Sequence, residues 1–343
     1  MIKSLTAFSA GGECHRLPGY SGLWLFCFAL LLIALALSMM LGAKAIPMHE
    51  IAQVLLHDGQ GENRQILLEG RLPRTLAGLF CGIALGLSGV IIQAITRNPL
   101  ADPGILGINA GASFALVMAV SVFHLSSPLT DVLAALLGAA GSAALVFCLG
   151  TLGNPHRHPV RYVLAGVAIS AVLTGFSSGM TLLEPAAFEK LRFWNAGSLD
   201  IRSQTPLYWM IPLLVGGFII TFLLAAPLNA LLLGENMATA LGVQSPKILS
   251  VSLLAVTLLV GTTTAVTGPI GFVGLMIPHA ARWVAGQHQG RIMAFTLVLA
   301  PLLLLSADIA GRFLLTNELR VSIVTALIGA PVMIWLVRRQ KTL

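Results

Sequence analysis

The chain has 343 residues, of which 57% are apolar and 10% charged, against roughly 45–50% and roughly 25% in soluble globular domains. These proportions exclude a cytosolic enzyme, a disordered chain and a secreted disulfide scaffold, since Cys14, Cys27, Cys81 and Cys148 stand far apart in the chain. The formal charge of +7 comes from 20 Lys and Arg spread thinly among apolar stretches; with no basic block, no nucleic acid partner is expected.

Apolar windows follow one another at about 23–43, 73–95, 109–124, 129–152, 160–183, 207–229, 248–268, 271–285, 293–311 and 321–337. At ~20 apolar residues per helical crossing, they predict an all-α polytopic membrane protein of about ten transmembrane helices. These form one transmembrane domain, residues 23–338, between a cytoplasmic segment 1–22 and a cytoplasmic tail 339–343. The run Leu23–Ala43 is too long for a signal-peptide core and lacks a cleavage pattern, so it reads as a retained first span. The 271–285 window is short and carries Pro278, which should kink or break a helix.

Ten spans put both termini on one side. With the N-terminus inside, 11 Lys and Arg fall on the inner face and nine on the outer, and ten of the 13 acidic residues fall outside. The cation excess and the tail's Arg338, Arg339 and Lys341 favour cytoplasmic termini.

Gly78, Gly82 and Gly86 repeat at four-residue steps in the second window, a stripe that lets a neighbouring helix approach closely. Gly268-Pro269 and Gly271-Phe272-Val273-Gly274 mark a broken segment or tight turn near the outer surface. The chain carries no G-x-x-x-x-G-K-[ST] phosphate loop and no H-E-x-x-H, and His156 and His158 share a loop, so neither ATP hydrolysis nor zinc chemistry is expected of it. Asp308 alone lies well within a window, and Arg312 follows four residues later. A local ion pair accounts for it better than a proton relay. Two loops hold more specific character: Arg97–Asn109, rich in Pro and Gly, reads as a rigid cytoplasmic bend, and Gly234–Val243 as a short helix on the inner surface.

Five motifs stand together and in order: Arg71-Leu72-Pro73-Arg74, the Asn98–Gly107 stretch, Ala240-Leu241-Gly242, the Gly268–His279 run and Gly329-Ala330-Pro331. Through them the chain resembles, over residues 45–340, the permease subunits of bacterial iron-siderophore and vitamin B12 ABC importers. Phe193–Arg202 looks most like the ferric catecholate (enterobactin-type) permeases.

The resemblance implies the type II ABC importer permease fold in the bacterial inner membrane. Its partners would be a second permease subunit, more readily a heterodimer than a homodimer, two ABC ATPase subunits and a periplasmic substrate-binding protein, with a ferric siderophore as cargo. It implies that Arg71, Arg74 and Arg312 at the outer surface engage acidic residues of the binding protein, where exposed charge pairs set register and on-rate. It places ATPase coupling on Glu235, Met237, Ala238, Thr239, Ala240, Leu241 and Gly242, whose small residues suit a knob entering a cleft. It lines the translocation path with Ser170, Thr174, Ser177 and Ser178, with Phe193 and Trp194 near the outer gate. No cofactor and no metal ligands are implied, because a chelated ferric ion arrives wrapped in its own ligand. Vitamin B12 or heme is the alternative cargo within the family. An ion-coupled secondary transporter, built on broken helices, is the alternative from another class.

Overall fold

The computed structural model describes residues 20–42, 44–57, 62–151, 159–201, 205–314 and 318–340. Cys14, His156, His158, Arg202 and nearly all of the expected cytoplasmic segments lie outside the described residues. Among the described residues every regular element is helical. In chain order these are α1 (Tyr20–Met40), α2 (Met48–His57), α3 (Glu62–Gln65), a π-helical turn leading into α4 (Leu72–Thr96), a 3-10 turn (Pro103–Leu106), α5 (Ile108–Ser121) and α6 (Pro128–Thr151). They continue with α7 (Pro159–Leu183), α8 (Pro185–Asn195), α9 (Thr205–Leu223), α10 (Ala225–Leu232), α11 (Glu235–Ala240) and α12 (Ser245–Val256). A second π-helical turn leads to α13 (Thr262–Thr267), followed by α14 (Val273–Ala285), α15 (Gln289–Leu314) and α16 (Val321–Gln340). Proline opens α6, α7 and α8, where the missing N–H costs nothing because first-turn donors have no intrahelical partner.

Each predicted apolar window coincides with a helix or a linked pair of helices. Six helical segments are long and apolar enough to cross a membrane alone, and α9 with α10 forms a further span bent by 46°. Three of the ten remain: the apolar part of α16, Val321–Trp335, is short for a crossing, and the other two share a physical form. α5 has 14 residues and α14 has 13, which at ~1.5 Å per residue reach about 20 Å of a ~30 Å hydrocarbon core.

Non-helical chain makes up the difference, and both pieces lie against α4. A Cβ on Gly274 would stand 2.8 Å from the Leu85 carbonyl oxygen and 3.1 Å from Pro103, so the stretch before α5 and the stretch before α14 meet about half-way along α4. This corrects two expectations. Arg97–Asn109 is not confined to a surface bend, because Pro103 reaches the level of Leu85, 11 residues before the end of α4. The 268–272 break is not confined to the opposite surface either, because it runs inward until α14 begins beside Gly89.

Backbone at that depth must find partners within the protein. Gln93 supplies some of them: its Nε2 donates to the carbonyls of Leu275 at 3.1 Å and of Ala101 and Gly274 at 3.4 Å. The Asp102 carboxylate accepts from the Gly104 N–H at 2.8 Å, and the Gly107 carbonyl accepts from the Ser142 hydroxyl at 2.7 Å.

α4 is the central helix, packed against α15, α14, α9 and α12. Its glycine stripe is the face that meets α15: a Cβ on Gly82 would lie 2.5 Å from Pro301 Cα, and one on Gly86 would lie 2.5 Å from Ala300 Cβ. Close packing is thus the stripe's role here, as lipid provides no hydrophobic drive between helices.

Candidate functional site

At the end of the bundle where α4 begins, three arginines converge on the last turn of α1 and on α15. The Arg71 guanidinium donates to the carbonyls of Met39 at 2.7 Å, of Met40 at 2.8 Å and of Lys44. The final carbonyls of a helix have no intrahelical donors and sit at the negative end of its dipole, so a guanidinium fork caps α1. Arg312 adds a second cap, with Nη1 donating to Ser38 O at 2.8 Å and to Leu41 O at 2.7 Å.

Asp308 is the hub. Arg312 Nη2 meets its Oδ2 at 2.6 Å, the local pair expected from the four-residue spacing. Arg74, from α4, takes the same carboxylate through Nε and Nη2 at 2.9–3.1 Å and reaches Glu318 through Nη1 at 2.7 Å. Charge-assisted bonds of this bidentate kind hold geometry as well as energy.

The exposure expected of the three arginines is corrected: Arg71 is 6% exposed, and the side chains of Arg74 and Arg312 are 12% and 3% exposed. They are drawn inward because α1's carbonyls and Asp308 are the nearest acceptors. Their outer edges nevertheless line an open cavity of about 580 Å³, together with Lys44, Glu69 and Glu318. Lys44 and the three guanidiniums line it beside Glu69, Asp200 and Glu318, with Asp308 paired beneath, so arginine donors and carboxylates are interleaved at its floor.

At the opposite end of α4, Arg97 takes a left-handed conformation (φ 51°) and its guanidinium donates to Leu231 O at 3.0 Å. That bond ties α4 to the α10–α11 hairpin. Gly234 (φ 107°) and Gly242 (φ 80°) bracket α11, and both sit in backbone conformations that side-chain-bearing residues rarely adopt. Within it Ala238 is fully buried in the main core and cannot meet a partner, which corrects its place in the coupling set. Met237, Thr239, Ala240, Leu241 and Gly242 face outward, Met237 and Leu241 at 58% and 63% exposure. The outward surface of this segment therefore adds two bulky apolar side chains, Met237 and Leu241, to the small Thr239, Ala240 and Gly242. The Glu235 side chain lies outside the described residues.

The residues expected along the path divide by helical face. On α7, Thr174 and Ser178 are exposed, and nothing stands within 4 Å of a Cβ on neighbouring Gly175 or Gly179. Ser177 is buried and donates to Leu173 O at 2.8 Å, and half-buried Ser170 turns toward Gly107. Polar groups on a lipid-facing surface are costly, so the Thr174–Ser178 face is suited to a protein or aqueous boundary. Phe193 is exposed, whereas Trp194 packs against the core with its buried indole N–H unpartnered. Sequence reasoning missed Gln93, Glu318 and the link from Arg74 to Asp308. An amide alone in an apolar window was a legible signal for Gln93, since it must bond to another segment.

The fold and its two specialised ends define a polytopic, all-helical transport protein. The model of the FecCD transport family matches residues 30–339, and the chain belongs to that family. It is 49% identical to the ferric enterobactin transport system permease protein FepD of Escherichia coli, over 91% of this chain and 93% of that protein. It is 36% identical to the Fe(3+) dicitrate transport system permease protein FecD of the same organism, over 89% and 94%. A solved inward-facing structure of a metal-chelate type ABC transporter superposes with a TM-score of 0.80 at 29% identity, covering 93% of this chain and 99% of that one.

Proposed function

We propose that this chain is the inner-membrane permease subunit of an ATP-driven importer that carries a ferric siderophore of the catecholate type from periplasm to cytoplasm. The observation that carries the reading is the contrast between the two ends of α4: an arginine-floored cavity at one and an exposed apolar hairpin at the other. The first end is periplasmic and receives the acidic lobes of a substrate-binding protein through Arg71, Arg74 and Arg312. The second is cytoplasmic and seats Met237, Thr239, Ala240 and Leu241 in a cleft of a separate ATPase subunit, whose closure moves the hairpin as a rigid body.

A second permease subunit, a distinct chain, faces the exposed side of α7, and cargo passes along Thr174 and Ser178 with Phe193 at the outer gate. Both termini are cytoplasmic. The cargo class rests on the 49% identity to a ferric enterobactin permease. Uptake of radio-iron as a panel of ferric siderophores, beside labelled vitamin B12, in cells with and without the gene tests it. Loss of ferric catecholate uptake alone supports the reading, and loss of vitamin uptake alone overturns the cargo.

A further inference from the structure

Two arginines from distant parts of the chain share one exposed ring at the proposed periplasmic end. The Arg192 guanidinium carbon lies 4.9 Å from the Phe193 ring centroid and that of Arg320 lies 5.1 Å from it. Arg320 also donates through Nη1 to the Phe193 carbonyl, joining the end of α8 to the start of α16. Phe193 is 51% exposed.

The charges here are weakly opposed. On α8, Lys190 is matched by Asp131 at 2.6 Å, whereas among the described carboxylates Arg192 meets only Glu189, at 3.9 Å, with both side chains more than half exposed. Arg320 forms no ion pair with any described carboxylate. A single ring thus draws together two guanidiniums whose mutual repulsion its quadrupole only partly offsets. Both guanidiniums lie over the ring and Arg320 spends one N–H on the Phe193 carbonyl, which leaves other N–H groups of the two forks for an oxyanion, a donor set that lysine does not offer.

Resting on the proposed import of a ferric catecholate, we propose that Phe193, Arg192 and Arg320 form a way-station for an anionic aromatic chelate entering the path. The catecholate oxygens accept from the two guanidiniums, which the Phe193 ring holds side by side, and the chelate's rings pack along the exposed edge of Phe193. Each contact is exposed and therefore weak, which suits a site that cargo must leave as readily as it enters. A chelate that is both neutral and aliphatic gains neither contact.

The test uses the whole importer in proteoliposomes: this chain, its partner permease, the ATPase and the binding protein loaded with ferric enterobactin, a trianionic tris-catecholate. Arg192→Gln with Arg320→Gln should lower the uptake rate at saturating loaded binding protein about threefold to tenfold. ATPase stimulation by the binding protein should stay at the unaltered level, and the deficit should narrow as salt rises. Arg192→Lys with Arg320→Lys should recover part of the rate, and Phe193→Leu should lower it without changing the salt response. Because Arg320 also braces α8, Arg192→Gln alone serves as the variant that leaves that brace intact, with a smaller loss of the same salt signature. Unchanged uptake in both glutamine variants overturns the way-station and leaves the cargo reading standing. Failure of the unaltered importer to move ferric enterobactin overturns the cargo reading and the way-station together.

Discussion

Arg74 on α4 grips the carboxylate of Asp308 on α15 through both Nε and Nη2, at 2.9–3.1 Å, across 234 residues of sequence. The same carboxylate holds Arg312 at 2.6 Å, so one anion fixes two cations beneath the cavity. Removing it leaves both cations buried without their counter-charge, whereas Glu318, nearly half exposed, can be replaced by water. Asp308→Asn should therefore destabilise the protein by about 3–5 kcal/mol and Glu318→Gln by about 1 kcal/mol or less. Thermal unfolding in detergent separates the two.

The arginines that line the cavity, in their proposed role of meeting acidic lobes of a binding protein, predict a salt response. Affinity for the periplasmic binding protein should fall as salt rises from ~50 to ~500 mM, mainly through a slower on-rate. Arg71→Met should weaken binding and loosen α1, since three carbonyls lose a charged donor whose bonds are worth about 1.5–3 kcal/mol each. Surface plasmon resonance with the reconstituted importer measures the first effect, and limited proteolysis near Lys44 the second. Salt-independent binding would remove the electrostatic docking model.

At the hairpin proposed to face the cytoplasm, Met237→Asp with Leu241→Asp should abolish transport while leaving the fold intact, because both side chains already face outward. Ala238→Asp should instead lower the yield of folded protein, since Ala238 is fully buried and an unpaired buried charge is costly. Bulk at Ala240, or at Gly242 with its φ of 80°, should uncouple transport from hydrolysis. ATPase activity and uptake measured on the same vesicles decide this, and normal uptake in those variants would refute the coupling role.

The α7 faces give a labelling test. Cysteines at 174 and 178 should react with a membrane-impermeant thiol reagent in the assembled importer, and cysteines at 170 and 177 should react at least about tenfold more slowly. Equal protection at all four positions would move the path elsewhere.

The glycines differ by what stands opposite them. Gly82→Leu drives into the Pro301 backbone, where overpacking costs about 1–3 kcal/mol or more, and Gly89→Ala meets the Gly274 backbone. Gly175→Ala enters open space and should leave the melting temperature unchanged to within a degree or two.

How much was legible depends on the range of the physics involved. Every apolar window is present as a helix or linked pair because solvation by lipid acts on each ~20-residue stretch independently, and the Asp308–Arg312 pair was readable because four residues is one helical turn. Membership of a transport family was readable from five motifs in one order. What the sequence did not disclose were relations between segments far apart in the chain. Depth is one: composition cannot say that Pro103 and Gly274 meet half-way along α4, where the carbonyls of Ala101, Gly274 and Leu275 find their donor in Gln93 of that helix. The direction of a charge is another. Arg71, Arg74 and Arg312 look alike as exposed outer arginines until α1's unpaired carbonyls and Asp308 are brought beside them, and Arg320 reaches the Phe193 ring only once the residue before α16 is brought to the end of α8. Local solvation and helical periodicity sit within a single stretch of sequence, while long-range hydrogen bonds and ion pairs exist only once the helices are packed.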